Sequence, residues 1–395
     1  MADIDPRVLA QLSSRRRFIG GGAAAAAAVI LGPSFLAACS SDNKASGPSS
    51  EAPKAPEDDG SPASGKLRVS NWPLYMADGF VAAFQTATGL TVDYKEDFND
   101  NEEWFAKNKE PLSRKQDIGA DLVVPSEFMA SRLISLGWLN PINDTRWTNK
   151  KNLRTDLADS KADPSRKFTA PYMSGMVGIA YNKAAIGRDI TKIDEMWDPA
   201  FKGKVSLLSD MRDGLGMFLM SQGHSPEDPT QETIQKAVDV IKEQKDKGQI
   251  RRFTGNDYAD DLAAGNIVVA QAYSGDVVQL QKDNPDLKFV IPETGSSTFV
   301  DTMVIPYTTQ NQKAAEEWIN YIYDRANYAK LIAATKYVPV LSDMTDALNK
   351  VDPELAKNPL INPSKETLDK LKSWAPLTDE QTQEFNKAYA AVTGG

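Results

Sequence analysis

The sequence predicts an α/β protein of two lobes, crossed more than once by the chain, behind a leader that takes no part in the fold. Three observations carry that expectation. Short apolar runs alternate with stretches of helical spacing, as in sheets built from strand–helix–strand units. The 395-residue chain is long enough, after its leader, for two sizeable cores. Acidic and aromatic residues recur just beyond the ends of the predicted strands, where ligands of open α/β sheets sit.

The leader comes first. Ser14-Arg15-Arg16-Arg17-Phe18-Ile19 places a twin-arginine pair before a short run rich in Ala and Gly, closed by Leu36-Ala37-Ala38-Cys39. A positive segment, an apolar segment and small residues before a cut site describe a bacterial export signal over residues 1–38. Leu-Ala-Ala-Cys resembles the lipobox of bacterial lipoproteins, which implies a lipid on Cys39; the plainer alternative is an uncleaved N-terminal anchor. Cys39 is the only cysteine, so no disulfide within the chain accounts for it. Residues 40–65 are Ser, Pro, Ala, Gly and charges without a large apolar side chain, so 39–65 is expected to be a flexible leash and the body to begin near Lys66.

In the body, Leu67 to Ser70 reads as a strand, Met76 to Thr88 as a helix stopped by Gly89, Leu90 to Tyr94 and Ala120 to Val124 as strands, and Glu127 to Leu136 as a helix. A second set begins at Gly178 to Tyr181 and continues through Lys204 to Leu208, helices near Met211 to Ser221 and Thr230 to Lys247, and a buried strand from Ile267 to Tyr273. Leu287 to Ile291 and Phe299 to Ile305 look like strands returning across, Asn311 to Thr335 like one helix, and the tail like helical pieces broken by prolines. The expected division is residues 66–172 with about 300–337 in one lobe, and about 173–299 with about 338–395 in the other.

Composition removes several chemistries. The only histidine, His224, lies in a Gly/Pro-rich loop, so neither a zinc site of the usual ligands nor a His-dependent nucleophile is expected, and no metal or cofactor is assigned. No P-loop is present. The formal charge is −9, and loss of the arginine-rich leader makes the remainder more acidic, which argues against nucleic acid and suits a cationic ligand.

The candidate site follows from strand ends. Trp72 and Tyr75 follow the first strand, Ser126 and Phe128 the third, Asp210 and Asp213 the Leu207-Leu208 strand, and Tyr273 and Asp276 the Val268–Ala270 strand. Phe299 and Asp301 lie two apart on one strand and so share a face, and Tyr337 follows the long helix. Asp210 reads equally well as a helix N-cap with Asp213 as its third-position partner, and Phe299 taken alone reads as core before ligand platform. Carboxylates bind ammonium groups, while aromatic faces attract cations and cover methylene chains. Acids spaced between aromatic walls suit a flexible molecule with several amines, a polyamine.

At these residues the chain resembles the polyamine-binding receptors of bacterial ABC importers, within the periplasmic solute-binding proteins. The resemblance runs from Lys66 to about Tyr337 and rests on NWPLY (71–75), DLVVPSEF (121–128), FKGKVSLLSDMRD (201–213), AYSGD (272–276), FVDTMVIP (299–306) and TKYVPV (335–340), in that order. It implies the two-lobed periplasmic-binding-protein fold with an interlobe cleft and hinge, and a protein that is not an enzyme. It also implies ligand contacts at Trp72, Tyr75, Ser126, Phe128, Asp210, Asp213, Tyr273, Asp276, Phe299, Asp301 and Tyr337. On this reading Asp301 meets one ammonium end and Asp210 with Asp213 the other, while Trp72, Tyr273 and Phe299 hold the methylenes. The chain departs from the family at Tyr273, where Trp is common, at Phe128, which lacks a phenol hydroxyl, and at Asp213, shorter than the usual Glu. The implied partners are spermidine or putrescine, a permease with a cytoplasmic ATPase, and a membrane through Cys39, with the protein outside the membrane as a monomer. A receptor or sensor for another organic cation and a surface hydrolase with paired carboxylates are the alternatives.

Overall fold

The computed structural model describes residues 57–394. The export signal, Cys39 and the leash up to residue 56 lie outside the described residues.

Two hydrophobic cores organise the body. The first gathers Leu67, Phe84, Leu122, Met129, Trp147, Met303, Trp318 and Ile332 among others. The second gathers Val177, Val205, Leu215, Phe218, Ile241, Val269 and Tyr389. Each fully buried large apolar side chain contributes about 1.5–3 kcal/mol, so each lobe has its own reason to stay folded. One sheet path joins them, in the order β2-β1-β3-β10-β5-β8-β6-β7. Its strands are β1 (Lys66–Asn71), β2 (Thr91–Glu96), β3 (Leu122–Val123), β5 (Thr169–Asn182), β6 (Val205–Leu208), β7 (Ile250–Thr254), β8 (Val269–Tyr273) and β10 (Ser296–Pro306). Three short strands, β4 (Leu139–Asn140), β9 (Leu287–Val290) and β11 (Leu371–Lys372), pair with β10, β5 and β10 respectively.

The parallel pairing expected from alternating strands and helices holds for β1 with β2 and β3, and for β6 with β7 and β8. The long antiparallel pair β5–β10 does what the sequence expectation assigned to several short strands. Met173 of β5 belongs to the first core and Val177 to the second, so four residues carry the strand from one lobe to the other. Opposite Asp301 and Thr302 of β10 the register slips because Tyr172 of β5 is an extra residue, a bulge at the crossing.

Local rules explain the element ends. Helix Phe80–Thr88 stops at Gly89, whose φ of 74° closes the last turn with a bond to the Gln85 carbonyl. The expected single helix from Asn311 to Thr335 is two, Gln312–Ile322 and Arg325–Thr335. Asp324 is extended there and its carboxylate accepts from the Ala326 and Asn327 amides, starting a new helix. Helix Asn101–Ser113, capped by Asp100, was not anticipated. Two expectations about boundaries are corrected. The leash ends before Lys66, because Asp58 pairs with Arg146 (2.5 Å), Asp59 with Lys313, and the Ser64 carbonyl accepts from Asn311 Nδ2 (2.6 Å). The stretch after 337 also divides differently. Val340, Leu341, Met344, Leu348, Leu355 and Ile361 fill the first core, while the second receives Trp374 and Leu377 and, from the last helix, Asp379–Thr393, Phe385, Tyr389 and Val392.

A candidate ligand-binding cleft

Where β5 and β10 cross between the lobes, a narrow cleft encloses about 310 Å³ when the open space at its mouth is included. Trp72, Tyr75, Ser126 and Tyr337 line it together with Asp213, Tyr273, Phe299 and Asp301; Asn101 and Asn256 complete the wall. No Lys, Arg or His is among these residues.

Asp301 is the centre of the arrangement. It lies opposite a bulge in β5 and bridges to Ser126 on its other side, and only 4% of its surface is exposed. Tyr75 donates its phenol to Oδ2 at 2.7 Å and Ser126 its hydroxyl to Oδ1 at 2.6 Å. Burial pushes the Asp301 carboxyl up to about 7 despite these two donors, with Asp213 and Asp276 adding repulsion. Ser126 is fixed in turn by Asn101, whose Nδ2 donates to Oγ at 3.1 Å while its Oδ1 accepts from the Ser126 amide.

Asp213 stands in the first turn of helix Met211–Ser221 and accepts the Tyr273 phenol at 2.8 Å. Burial raises its carboxyl to about 6, against the lowering influence of Tyr273 and Arg212. Each cleft carboxylate is therefore held by tyrosine or serine hydroxyls and balanced by no lining cation. A buried carboxylate without a counter-ion is costly, which shifts its balance toward the protonated form until a cationic partner arrives.

The aromatic walls are equally constrained. Trp72 donates Nε1 to the Val124 carbonyl at 2.7 Å and leans on Phe98, with centroids 4.9 Å apart. Tyr75 and Tyr337 meet edge to face at 4.9 Å, as do Tyr273 and Phe299 at 5.2 Å. Two glycines make room for these rings. A Cβ on Gly175 would lie 2.3 Å from the Phe299 ring, and one on Gly275 would lie 2.4 Å from Tyr337.

Three expected contact residues are not in the wall. Asp276 is fully buried behind it and accepts from Tyr337 (2.5 Å), Tyr258 (2.7 Å) and Asn256 (3.1 Å), so it positions Tyr337. Asp210 is the N-cap of helix Met211–Ser221, accepting from the Arg212 and Asp213 amides, and burial holds its carboxyl well above the usual range. That is the plainer of the two readings its sequence position allowed. Phe128 has its ring covered by the Arg212 guanidinium, 3.9 Å from the centroid. Sequence reasoning missed Asn101 and Asn256. Asn101 follows Asp100 at an acidic helix start, D-N-E-E, a signal that could have been read. Asn256 follows an unrecognised strand, β7.

Among the described residues, no group of three or more His, Cys, Asp or Glu is placed to hold a metal ion. The arrangement sets two acids among several rings, a combination whose chemistry suits a flexible organic cation.

Residues 79–363 match the family model described as bacterial extracellular solute-binding protein. Among curated relatives, the Haemophilus influenzae spermidine/putrescine-binding periplasmic protein 1 is 27% identical over 328 residues, 83% of this chain and 88% of that protein. The Escherichia coli putrescine-binding periplasmic protein PotF is 31% identical over 278 residues, 65% of this chain and 72% of that protein. Among solved structures, a putative spermidine/putrescine ABC transporter protein from Listeria monocytogenes superposes with a TM-score of 0.74 at 25% identity, covering 83% of this chain and 98% of that one. With the family model spanning most of the body, the chain belongs to the bacterial extracellular solute-binding proteins.

Proposed function

We propose that this protein is an extracytoplasmic receptor that captures a polyamine, spermidine or putrescine, and delivers it to an ABC importer. The observation that carries the reading is the pair of carboxylates, partly buried Asp213 and buried Asp301, set between Trp72, Tyr75, Tyr273, Phe299 and Tyr337 with no cation in the wall. Ammonium groups supply the missing counter-charges, and the rings cover the methylenes between them. The names of the Haemophilus and Escherichia relatives point to the same ligand class.

Capture requires the lobes to move. The β5–β10 pair is the proposed hinge, with first-lobe contacts from Tyr75 and Ser126 and second-lobe contacts from Asp213 and Tyr273. A ligand touching both lobes favours the closed form by its differential affinity, and that form is what a permease reads. The tether on Cys39 and the twin-arginine export route belong to the same proposal, as does action by a monomer. Calorimetric titration with putrescine, spermidine and agmatine tests it, the reading requiring saturable one-to-one binding of at least one amine. Absence of binding by a folded sample overturns it.

A further inference from the structure

The helix Asp379–Thr393 lies past the stretch that matches the family model, and the proposed function gives it no task. Phe385, Tyr389 and Val392 root it in the second core. Tyr389 donates its phenol to the Leu208 carbonyl at 2.5 Å, and a Cβ on Gly214 would stand 2.1 Å from that phenol oxygen. The helix is therefore packed against the turn that carries Ser209 and Asp213. Asn386 lies three residues before Tyr389, on the same side of the helix. Its Nδ2 crosses to the first lobe and donates to Glu102 Oε1 at 3.2 Å.

Glu102 and Asp100 stand at the start of helix Asn101–Ser113, whose Trp104, Phe105 and Leu112 lie in the first core. Both carboxylates divide their oxygens in the same way. Glu102 Oε2 is held within its own lobe by Arg132 at 3.0 Å, and Oε1 accepts from Asn386. Asp100 Oδ1 caps its own helix through the Glu102 and Glu103 amides, and Oδ2 accepts from Ser209 at 3.1 Å. Asn101, between them, lines the cleft and holds Ser126, which donates to Asp301.

We infer that Asn386 and Ser209 are positioning residues that latch the second lobe to the first through Glu102 and Asp100, and so hold the lobes together around a bound ligand; the inference rests on the hinge reading above. Neither residue lines the cleft. Both bonds run from lobe to lobe, so opening breaks them and returns their groups to water. They add to the closed form and nothing to the open one, which slows ligand escape without altering the contacts that recognise the ligand. Each acid is already fixed by its own lobe, so closing orders little more than the arriving donor. Loss of one such donor to a half-buried carboxylate shifts the balance between the two forms by about fivefold or more.

The test measures putrescine and spermidine affinities by calorimetry and dissociation rates by stopped flow. The proteins are the wild type, Ser209→Ala, Asn386→Ala, Asn386→Asp and the double variant Glu102→Gln with Asn386→Asp, with urea unfolding as a check on fold. Ser209→Ala and Asn386→Ala are each expected to weaken both amines about fivefold through faster dissociation, leaving the ratio between the amines unchanged. Asn386→Asp sets one carboxylate against another and is expected to weaken binding further. The double variant again places a donor opposite a carboxylate, with the roles exchanged, and is expected to recover wild-type affinity to within about threefold. Wild-type dissociation rates in both folded alanine variants overturn the inference. So does a double variant that binds no better than Asn386→Asp, and so does a changed ratio between the amines, which would place these residues in recognition. If no amine binds the wild type, the polyamine reading fails, and solution scattering decides on the latch: Asn386→Asp is expected to be more extended than the wild type, and identical profiles overturn it. If Asn386→Asp does not fold, Ser209→Ala decides.

Discussion

Replacing Asp301 with Asn separates what the carboxylate does for the ligand from what it costs the empty protein. Asp301 is 4% exposed and faces no lining cation, so on the proposed reading it would form a desolvated pair with a ligand ammonium group. Removing one partner of a buried, hydrogen-bonded charge pair costs about 2–5 kcal/mol, which is a loss of roughly 30-fold to several thousandfold in affinity. Asn still accepts from Tyr75, and its amide meets Ser126, so the wall keeps its shape. The empty protein responds in the opposite sense. The folded carboxyl titrates at about 7 and the unfolded one near 3.8. Its contribution is therefore fully present below the unfolded value and lost as pH rises through 7, by at most about 4 kcal/mol. Asp301→Asn should accordingly make the unliganded protein more stable than wild type at pH 8 and nearly equal to it near pH 4. Calorimetry with putrescine and spermidine, and urea unfolding at both pH values, read the two effects. Unchanged affinity refutes the ligand assignment, and a variant less stable at pH 8 refutes the electrostatic argument.

Two further outcomes are expected. Because burial holds Asp301 at about 7 and Asp213 at about 6 in the empty cleft, amine binding should release protons and weaken as pH falls from 8 to 5.5; titration in two buffers of different ionisation enthalpy counts the protons, and a pH-independent affinity contradicts the account. Gly255 of the second lobe lies so close to the first that a Cβ there would stand 2.4 Å from the Asn99 carbonyl, beside the bond from Ser209 to Asp100 at 3.1 Å. Gly255→Ala should hold the lobes apart and weaken binding about tenfold or more without loss of fold stability, with solution scattering reporting an ensemble that stays extended when amine is added; full compaction with amine would sink the idea.

Much of this was legible in the chain, for identifiable reasons. Parallel strands buried on both faces, such as Leu122-Val123-Val124 and Val205 to Leu208, announce themselves as short apolar runs, and the aromatic and acidic residues just beyond them occupy the one place an α/β sheet leaves open. Asp301 stood out because Asp is unusual in a strand, and it faces a bulge in the partner strand β5. What was hidden depends on long-range partners. Nothing local marks β5 as 14 residues passing through two cores, since its alternation is lost once both faces are covered. Asp210 looked like a ligand acid until its own helix amides claimed it. Phe128 looked like a platform because Arg212, distant in sequence, could not be placed above it. Residues 57–65 lack a large apolar side chain, yet charge pairs with Arg146 and Lys313 hold them down.

The most direct measurement is native mass spectrometry of the purified protein mixed with equimolar putrescine, spermidine, agmatine, glucose and glutamate. The account predicts a single one-to-one adduct with the mass of an amine. An adduct only with the neutral or anionic compounds, or none with any amine, would contradict it.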